Sequence, residues 1–259
     1  AAAASVASLL GTRHETLDAE PTPAADLVEL IQRAGLPFGD SSLLPAHWLS
    51  RATRRHVKVA ISGDGGDELF AGYERHVALR WLARYRPLAA AIPSPLLPRT
   101  NPKSKWSKAA RLGVAARATP NWNLSAVFPG PDERRLLGHS MHDGWHMTRS
   151  GIADGPLWDA RFYLPEDLLR KTDTASMAVA LEVRAPFLQR DLALAALSEP
   201  LSSLMPHGQR KGLLRAVARK YLPADIVDRP KQGFAIPISD WFRTDFGGMR
   251  QLLLDHLHA

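Results

Sequence analysis

The run "VKVAISGDGGDELFAGYERH", from Val57 to His76, limits the fold more than any other stretch of the chain. Val57–Ser62 is short, β-branched and apolar between polar flanks, the pattern of a buried parallel strand. Four glycines (Gly63, Gly65, Gly66, Gly72) then interleave with three acids (Asp64, Asp67, Glu68). At the carboxyl end of a strand in a parallel sheet the chain faces the usual ligand crevice. Glycines there admit positive φ and let backbone N–H groups approach a ligand closely, with phosphate oxygens as natural guests. Carboxylates beside phosphate repel unless a cation stands between them, so the acids point to Mg2+, or to a cationic or amine substrate, as well as phosphate. The plainer alternative is a helix start, with Asp64 as N-cap and Asp67 and Glu68 complementing the dipole. That alternative uses neither Gly65 nor Gly66.

The remainder of the chain sets the frame for this loop. Its 259 residues are 45% apolar and 23% charged, which suits one large α/β domain or one with a helical extension. The absence of cysteine excludes disulfides, thiolate metal sites and a cysteine nucleophile, and is compatible with a reducing compartment. Lys and Arg outnumber Asp and Glu by 33 to 26, a net charge of +7 that favours anionic partners. The basic residues are scattered, with short knots at Arg51–Lys58 and Lys103–Arg111, so a solvated face is preferred to a nucleic-acid surface. No apolar run approaches the roughly 20 residues of a membrane span. The start lacks signal-peptide character, and opening on "AAAAS" rather than Met suggests a processed chain or a piece of something longer.

Coarse periodicity predicts a helix end over Ala1–Gly11, an exposed strand in "TRHETLDAE" (Thr12–Glu20) and a helix over Ala24–Ala34. Turn chemistry follows in Gly35–Ser42, then a helix over Ser42–Arg54 with Pro45 near its first turn. Alternating helices and strands argue for a parallel sheet covered on both faces. After Tyr73 no strand signal is convincing. "SKWSKAARLGVAARA", "LPEDLLRKTDTASMAVALE" and "GQRKGLLRAVARKYL" all show helical spacing, so the fold class expected is α/β, a partial parallel sheet followed by a mainly helical half. The division expected within the one domain, 1–259, is an α/β part over 1–76 and a helical part over 77–259. Ser176, Met177 and Leu181 fall on a core-facing helical spacing, and Glu182 with Arg184 reads as a buried structural ion pair in preference to the alternative of direct catalysis. The histidines show no metal-ligand spacing, and none is assigned to a metal.

"SGDGGDELFAGY" closely resembles the second signature of the synthetase domain of glutamine-dependent asparagine synthetases. "PFGDSSLLPAHWLSR" (Pro37–Arg51), "LLRKTDTASMAVALEVRAPFL" (Leu168–Leu188) and "DRPKQGFAIPISDWFR" (Asp228–Arg243) resemble further family blocks, in family order. The resemblance implies an adenine-nucleotide α-hydrolase-like, Rossmann-like sheet and a cytoplasmic ligase. It implies that an aspartate β-carboxylate attacks the α-phosphate of MgATP, and that ammonia then displaces AMP to give asparagine. On this resemblance Ser62, Gly63 and Gly65 meet the nucleotide, and Asp67 holds Mg2+. Asp64 positions or deprotonates the incoming ammonium, and Glu68 supports the loop from behind. Lys231 in "RPKQGF" neutralises charge as pyrophosphate leaves, although without the resemblance it reads as an exposed lysine in a Pro/Gly turn. Gly233 and Phe234 fit a mobile closing loop. Asp40, Ser41 and Ser42 resemble a turn near the amino-acid substrate, a role compatible with capping the helix that follows.

Two departures qualify the resemblance. The family's SGGxDS nucleotide loop and its glutaminase domain, with an N-terminal cysteine, are expected upstream and are not in these residues. Gly35-Leu36 also stands before Pro37 where many relatives carry Asp-Glu, which puts the carboxylate substrate in doubt. The chain therefore reads as a C-terminal piece of the synthetase domain, inactive alone, with ATP and Mg2+ as cofactors. Its expected partners are aspartate, ATP, ammonia from glutamine and the upstream domain, with no nucleic acid and no membrane. The alternatives are an amidotransferase acting on another carboxylate, and a catalytically dead nucleotide-binding or assembly module.

Overall fold

A computed structural model describes residues 2–36, 38–98, 104–117, 120–125, 155–229 and 236–257. The chain forms two compact units, each assembled from separated segments. The first comprises Ala1–Asp64, Tyr163–Gln189 and Ala218–Ala259, and the second Gly65–Phe162 and Arg190–Val217.

In the first unit the helix Pro23–Ala34 starts with proline at its first position and ends where Gly35 turns left-handed (φ 68), its N–H reaching the Ile31 and Gln32 carbonyls. The helix Leu43–Arg54 follows. Leu30, Leu43, Leu44, Trp48 and Ala175 form the core here, with Leu27, Phe38 and Trp241 packed against them. Asp26, nearly fully buried, accepts from Trp48 Nε1 at 2.6 Å and from Thr22 Oγ1 at 2.8 Å, and Arg51 Nη1 lies 3.1 Å away. Burial acts to raise the Asp26 carboxyl, but the Trp48 and Thr22 donors and the Arg51 charge outweigh it and hold it below its ordinary range.

The sheet has two strands among the described residues: β1 (Val59–Ile61) and β2 (Glu182–Arg184), parallel, with Ala60 opposite Val183. The strand expected at Val57–Ser62 is therefore present and parallel, but it is not buried: Val59 is 43% and Ile61 78% exposed. Two three-residue strands cover little of either face. The Rossmann-like type of sheet is a finer expectation than this pair of strands reaches. β2 corrects the expectation of no strand after Tyr73. Its Glu182 and Arg184 do form an ion pair, at 2.7 Å, but an exposed one, because both lie on the open face.

Thr12–Glu20, expected as an exposed strand, has no regular structure. Its polar side chains instead reach the end of the Leu43–Arg54 helix region: Glu20 pairs with Arg55 at 3.0 Å, and Glu15 with His56 at 3.4 Å. The segment predicted helical over Leu164–Glu182 is π-helical from Asp159 to Leu169 and α-helical over Arg170–Met177. It then turns at Ala180 (φ 56), which aims Leu181 inward and frees Glu182 for the strand. Of the predicted core positions on it, Ser176 and Leu181 are buried but Met177 is 54% exposed.

In the second unit the helix Glu74–Ala90 breaks regularity at Tyr85, just before Pro87. Leu82, Ala89, Ala115 and Ala116 form a core where this helix meets Lys105–Arg117. The helix expected over Gly208–Leu222 is confined to Gly212–Ala218, because Gly208 (φ 79) and Lys211 (φ 53) are left-handed.

Candidate functional site

The glycine-acid loop begins in the first unit and ends in the second, and its side chains find partners within their own unit. Immediately after β1 the Ser62 N–H extends the ladder to the Arg184 carbonyl at 2.8 Å. Asp64 Oδ2 accepts from the Ser62 hydroxyl at 2.9 Å and from the Thr172 hydroxyl at 3.1 Å. Two donors on one oxygen fix the direction of this carboxylate. Asp64 is thus not a helix cap: the residue before the short helix Gly66–Leu69 is Gly65, with φ 89, a conformation that suits glycine alone. Gly63 stands in open space, so no neighbour among the described residues requires glycine there.

A second group in the first unit gathers at the start of the Arg170–Met177 helix, one residue before Thr172. Lys171 Nζ is 2.8 Å from Asp40 Oδ2, while Asp40 Oδ1 accepts from the Ser42 N–H and hydroxyl, each at 2.8 Å. Asp40 therefore does form the turn that opens the Leu43–Arg54 helix, and it also holds a lysine. Burial acts to raise the Asp40 carboxyl, but Lys171 and the Ser42 donors prevail and keep it low. Burial pushes nearby Asp167 up to about 6; the Asp40 charge adds to this, against Lys171 and the Tyr163 hydroxyl. Tyr163 and Asp167 on the π-helical run and Lys171 on the α-helix that continues it recur every four residues, and both Lys171 and Tyr163 act on the Asp167 carboxyl.

In the second unit, Asp67 Oδ1 lies 3.0 Å from Lys211 Nζ, both side chains half-buried. Glu68 is 2% exposed and accepts from the Tyr73 hydroxyl. Burial raises its carboxyl, the Tyr73 donor opposes this, and the charges of Asp67 and Asp159 add to it. Behind Glu68, the Arg75 guanidinium lies 3.8 Å from the centre of the Tyr73 ring and 2.9 Å from Asp159, which also meets His76 Nε2 at 2.9 Å. The expectation that Glu68 braces the loop from behind matches this buried setting.

Among the described residues no three His, Asp or Glu side chains converge on a metal cage. The lone Asp67 carboxylate still fits Mg2+, which takes one or two carboxylates and otherwise keeps water and phosphate oxygens. Lys231, Gly233 and Phe234 lie outside the described residues. Thr172, Lys171, Asp167 and Lys211 escaped sequence reasoning: the first three sat in a block read as a core helix, and nothing local ties Lys211 to Asp67.

The asparagine synthase family model matches residues 1–259. A putative asparagine synthetase (glutamine-hydrolyzing) of Mycobacterium bovis is 30% identical over 92% of this chain and 39% of its own length. Asparagine synthetase (glutamine-hydrolyzing) 1 of Bacillus subtilis is 25% identical over 85% of the chain and 37% of its own. A putative asparagine synthetase of Methanocaldococcus jannaschii is 51% identical over 41 residues, 16% of the chain. The chain thus spans about two fifths of the length of the first of these relatives, 39%. No solved structure matches it significantly. The chain belongs to the asparagine synthase family.

Proposed function

We propose that the chain carries part of the adenylating site of an ATP-dependent, AMP-forming amidation of aspartate to asparagine. The observation that carries this reading is the different company of two neighbouring acids. Asp64 is oriented by the hydroxyls of Ser62 and Thr172, whereas Asp67 already faces a cation, the Lys211 ammonium. One is suited to an amine and the other to a metal.

In this reaction a β-carboxylate oxygen of aspartate attacks the α-phosphorus of ATP, and the bond to the bridging oxygen breaks to release pyrophosphate. Ammonia then attacks the acyl carbon, AMP leaves with the bonding pair, and the nitrogen sheds a proton. Ser62 and Gly63 approach the nucleotide through their backbone, and Gly65 gives the loop its turn. Asp64 holds the ammonium and takes up the proton on its carboxylate. Asp67 would hold Mg2+, which when bound screens the polyphosphate charge. Lys231 stabilises the departing pyrophosphate. Ammonia comes from glutamine through a glutaminase domain, in keeping with the names of the relatives. These 259 residues contain no SGGxDS loop, so the chain alone binds nucleotide without turning it over.

Isothermal titration of MgATP into the chain and into Asp67→Asn tests the reading. Binding in the micromolar to low-millimolar range, lost in the variant, is expected. No binding to the parent chain at several millimolar overturns it.

A further inference from the structure

The Asp67–Lys211 pair is set into the chain with unusual care. The loop carries Gly72 directly over it: a Cβ at that position would lie 1.8 Å from Asp67 Oδ1 and 2.6 Å from Lys211 Cε. Gly72 donates its N–H to the Asp67 carbonyl at 2.8 Å, which locks this approach. The backbone is left-handed at Ala71 (φ 54) and at Lys211 itself (φ 53), conformations that neither residue prefers. Strain at these two positions and a glycine between them hold one ammonium against one carboxylate oxygen.

That oxygen belongs to the carboxylate assigned to the metal, and the inference rests on that assignment. A divalent cation and an ammonium cannot both sit against Asp67 Oδ1 without strong repulsion. We propose that Lys211 is the resident cation of Asp67 and that a divalent metal enters only together with polyphosphate. A metal arriving alone must displace Lys211 from Asp67 and brings no oxygens of its own to receive the ammonium. A metal arriving with polyphosphate brings oxygens that receive the displaced ammonium, and the long lysine stem lets the charge follow them. Lys211 thereby makes metal and polyphosphate bind as one ligand, and it is a positioning residue for the nucleotide rather than a support of the loop.

The test uses Mn2+ as the probe, alone and then with inorganic pyrophosphate, titrated calorimetrically into the full chain. Lys211→Gln is expected to bind Mn2+ alone at least ten-fold more tightly than the parent, and Mn2+-pyrophosphate at least three-fold more weakly. Lys211→Met, which keeps most of the stem, is made in parallel in case the glutamine variant does not fold, and Lys211→Arg should retain the parent's order of preference. A merely structural lysine would weaken both probes, and that result overturns the proposal. So does a Lys211→Gln variant identical to the parent with both probes while Asp67→Asn loses Mn2+-pyrophosphate. If Asp67→Asn binds Mn2+-pyrophosphate as the parent does, the assignment of Asp67 to the metal fails instead.

Discussion

Asp167 keeps its carboxyl beside that of Asp40, and the two are driven apart in acidity by their surroundings. Lys171 and Ser42 hold Asp40 low, whereas burial and the Asp40 charge push Asp167 up to about 6 from its ordinary 3.8. Asp167 thus holds its proton more tightly in the folded chain than in the unfolded one. The stability linked to that proton is fully present below the ordinary value of 3.8 and is lost as pH rises through about 6. Asp167→Asn should therefore be more stable than the parent at about pH 7–8, by about 1 kcal/mol after allowance for solvent screening of a half-buried group. The gap should close towards about pH 4. Urea unfolding across that range checks it, and a gap independent of pH would show that the two carboxyls do not share a proton in this way. Ser62, Asp64 and Asp67 stood out in the sequence as candidates because glycine and acid alternate directly after a strand. Lys171 and Asp167 were not, since a lysine and an aspartate four apart read equally well as a solvated helix face.

The helices of the first unit show what a pattern can and cannot foretell. Pro23–Ala34 and Leu43–Arg54 were readable from Pro23, the Gly35–Ser42 turn and Pro45, because breaks and caps are local. β2 was not readable. Three residues with one apolar member carry no strand signal, and the strand exists because the left-handed turn at Ala180 delivers Glu182 alongside Lys58, whose carbonyl accepts its N–H at 3.0 Å. The Thr12–Glu20 alternation misled for the opposite reason: a strand needs a ladder, and its charged side chains found Arg55 and His56, just past the Leu43–Arg54 helix, instead. The joint between the two helices depends on Asp26, which gathers Trp48, Thr22 and Arg51. Asp26→Ala would leave the buried indole N–H unmatched and remove the carboxylate facing Arg51, which keeps only the Glu20 carbonyl among the described residues, so a loss of about 2–3 kcal/mol is expected. Chemical denaturation measures it, and a loss below about 0.5 kcal/mol would show that water replaces the carboxylate at little cost. Because the Asp26 carboxyl is held low, this contribution should fade only as pH falls below the ordinary carboxylate range.

Across the whole molecule, the order of residues and the order of assembly differ. The first unit draws on Ala1–Asp64, Tyr163–Gln189 and Ala218–Ala259, and the second is inserted between those stretches. The helices at both ends, Ala2–Leu10 and Met249–Leu257, belong to the first unit. Stretched between two beads attached at its ends, the chain should lose the first unit before the second bears any load, giving two ordered rips in an optical trap. Handles placed instead at Glu74 and Arg190 should reverse that order, and a single rip in both geometries would mean that the units melt together. The same layout governs synthesis. Residues leaving the ribosome can close the second unit once Val217 has emerged, whereas the first, which carries the strand pair and Asp64, stays open until Ala218–Ala259 follows. A nascent chain stalled before that last stretch would hold both strands of the pair but not the rest of their unit, and the chaperones that shelter such open cores would decide its yield.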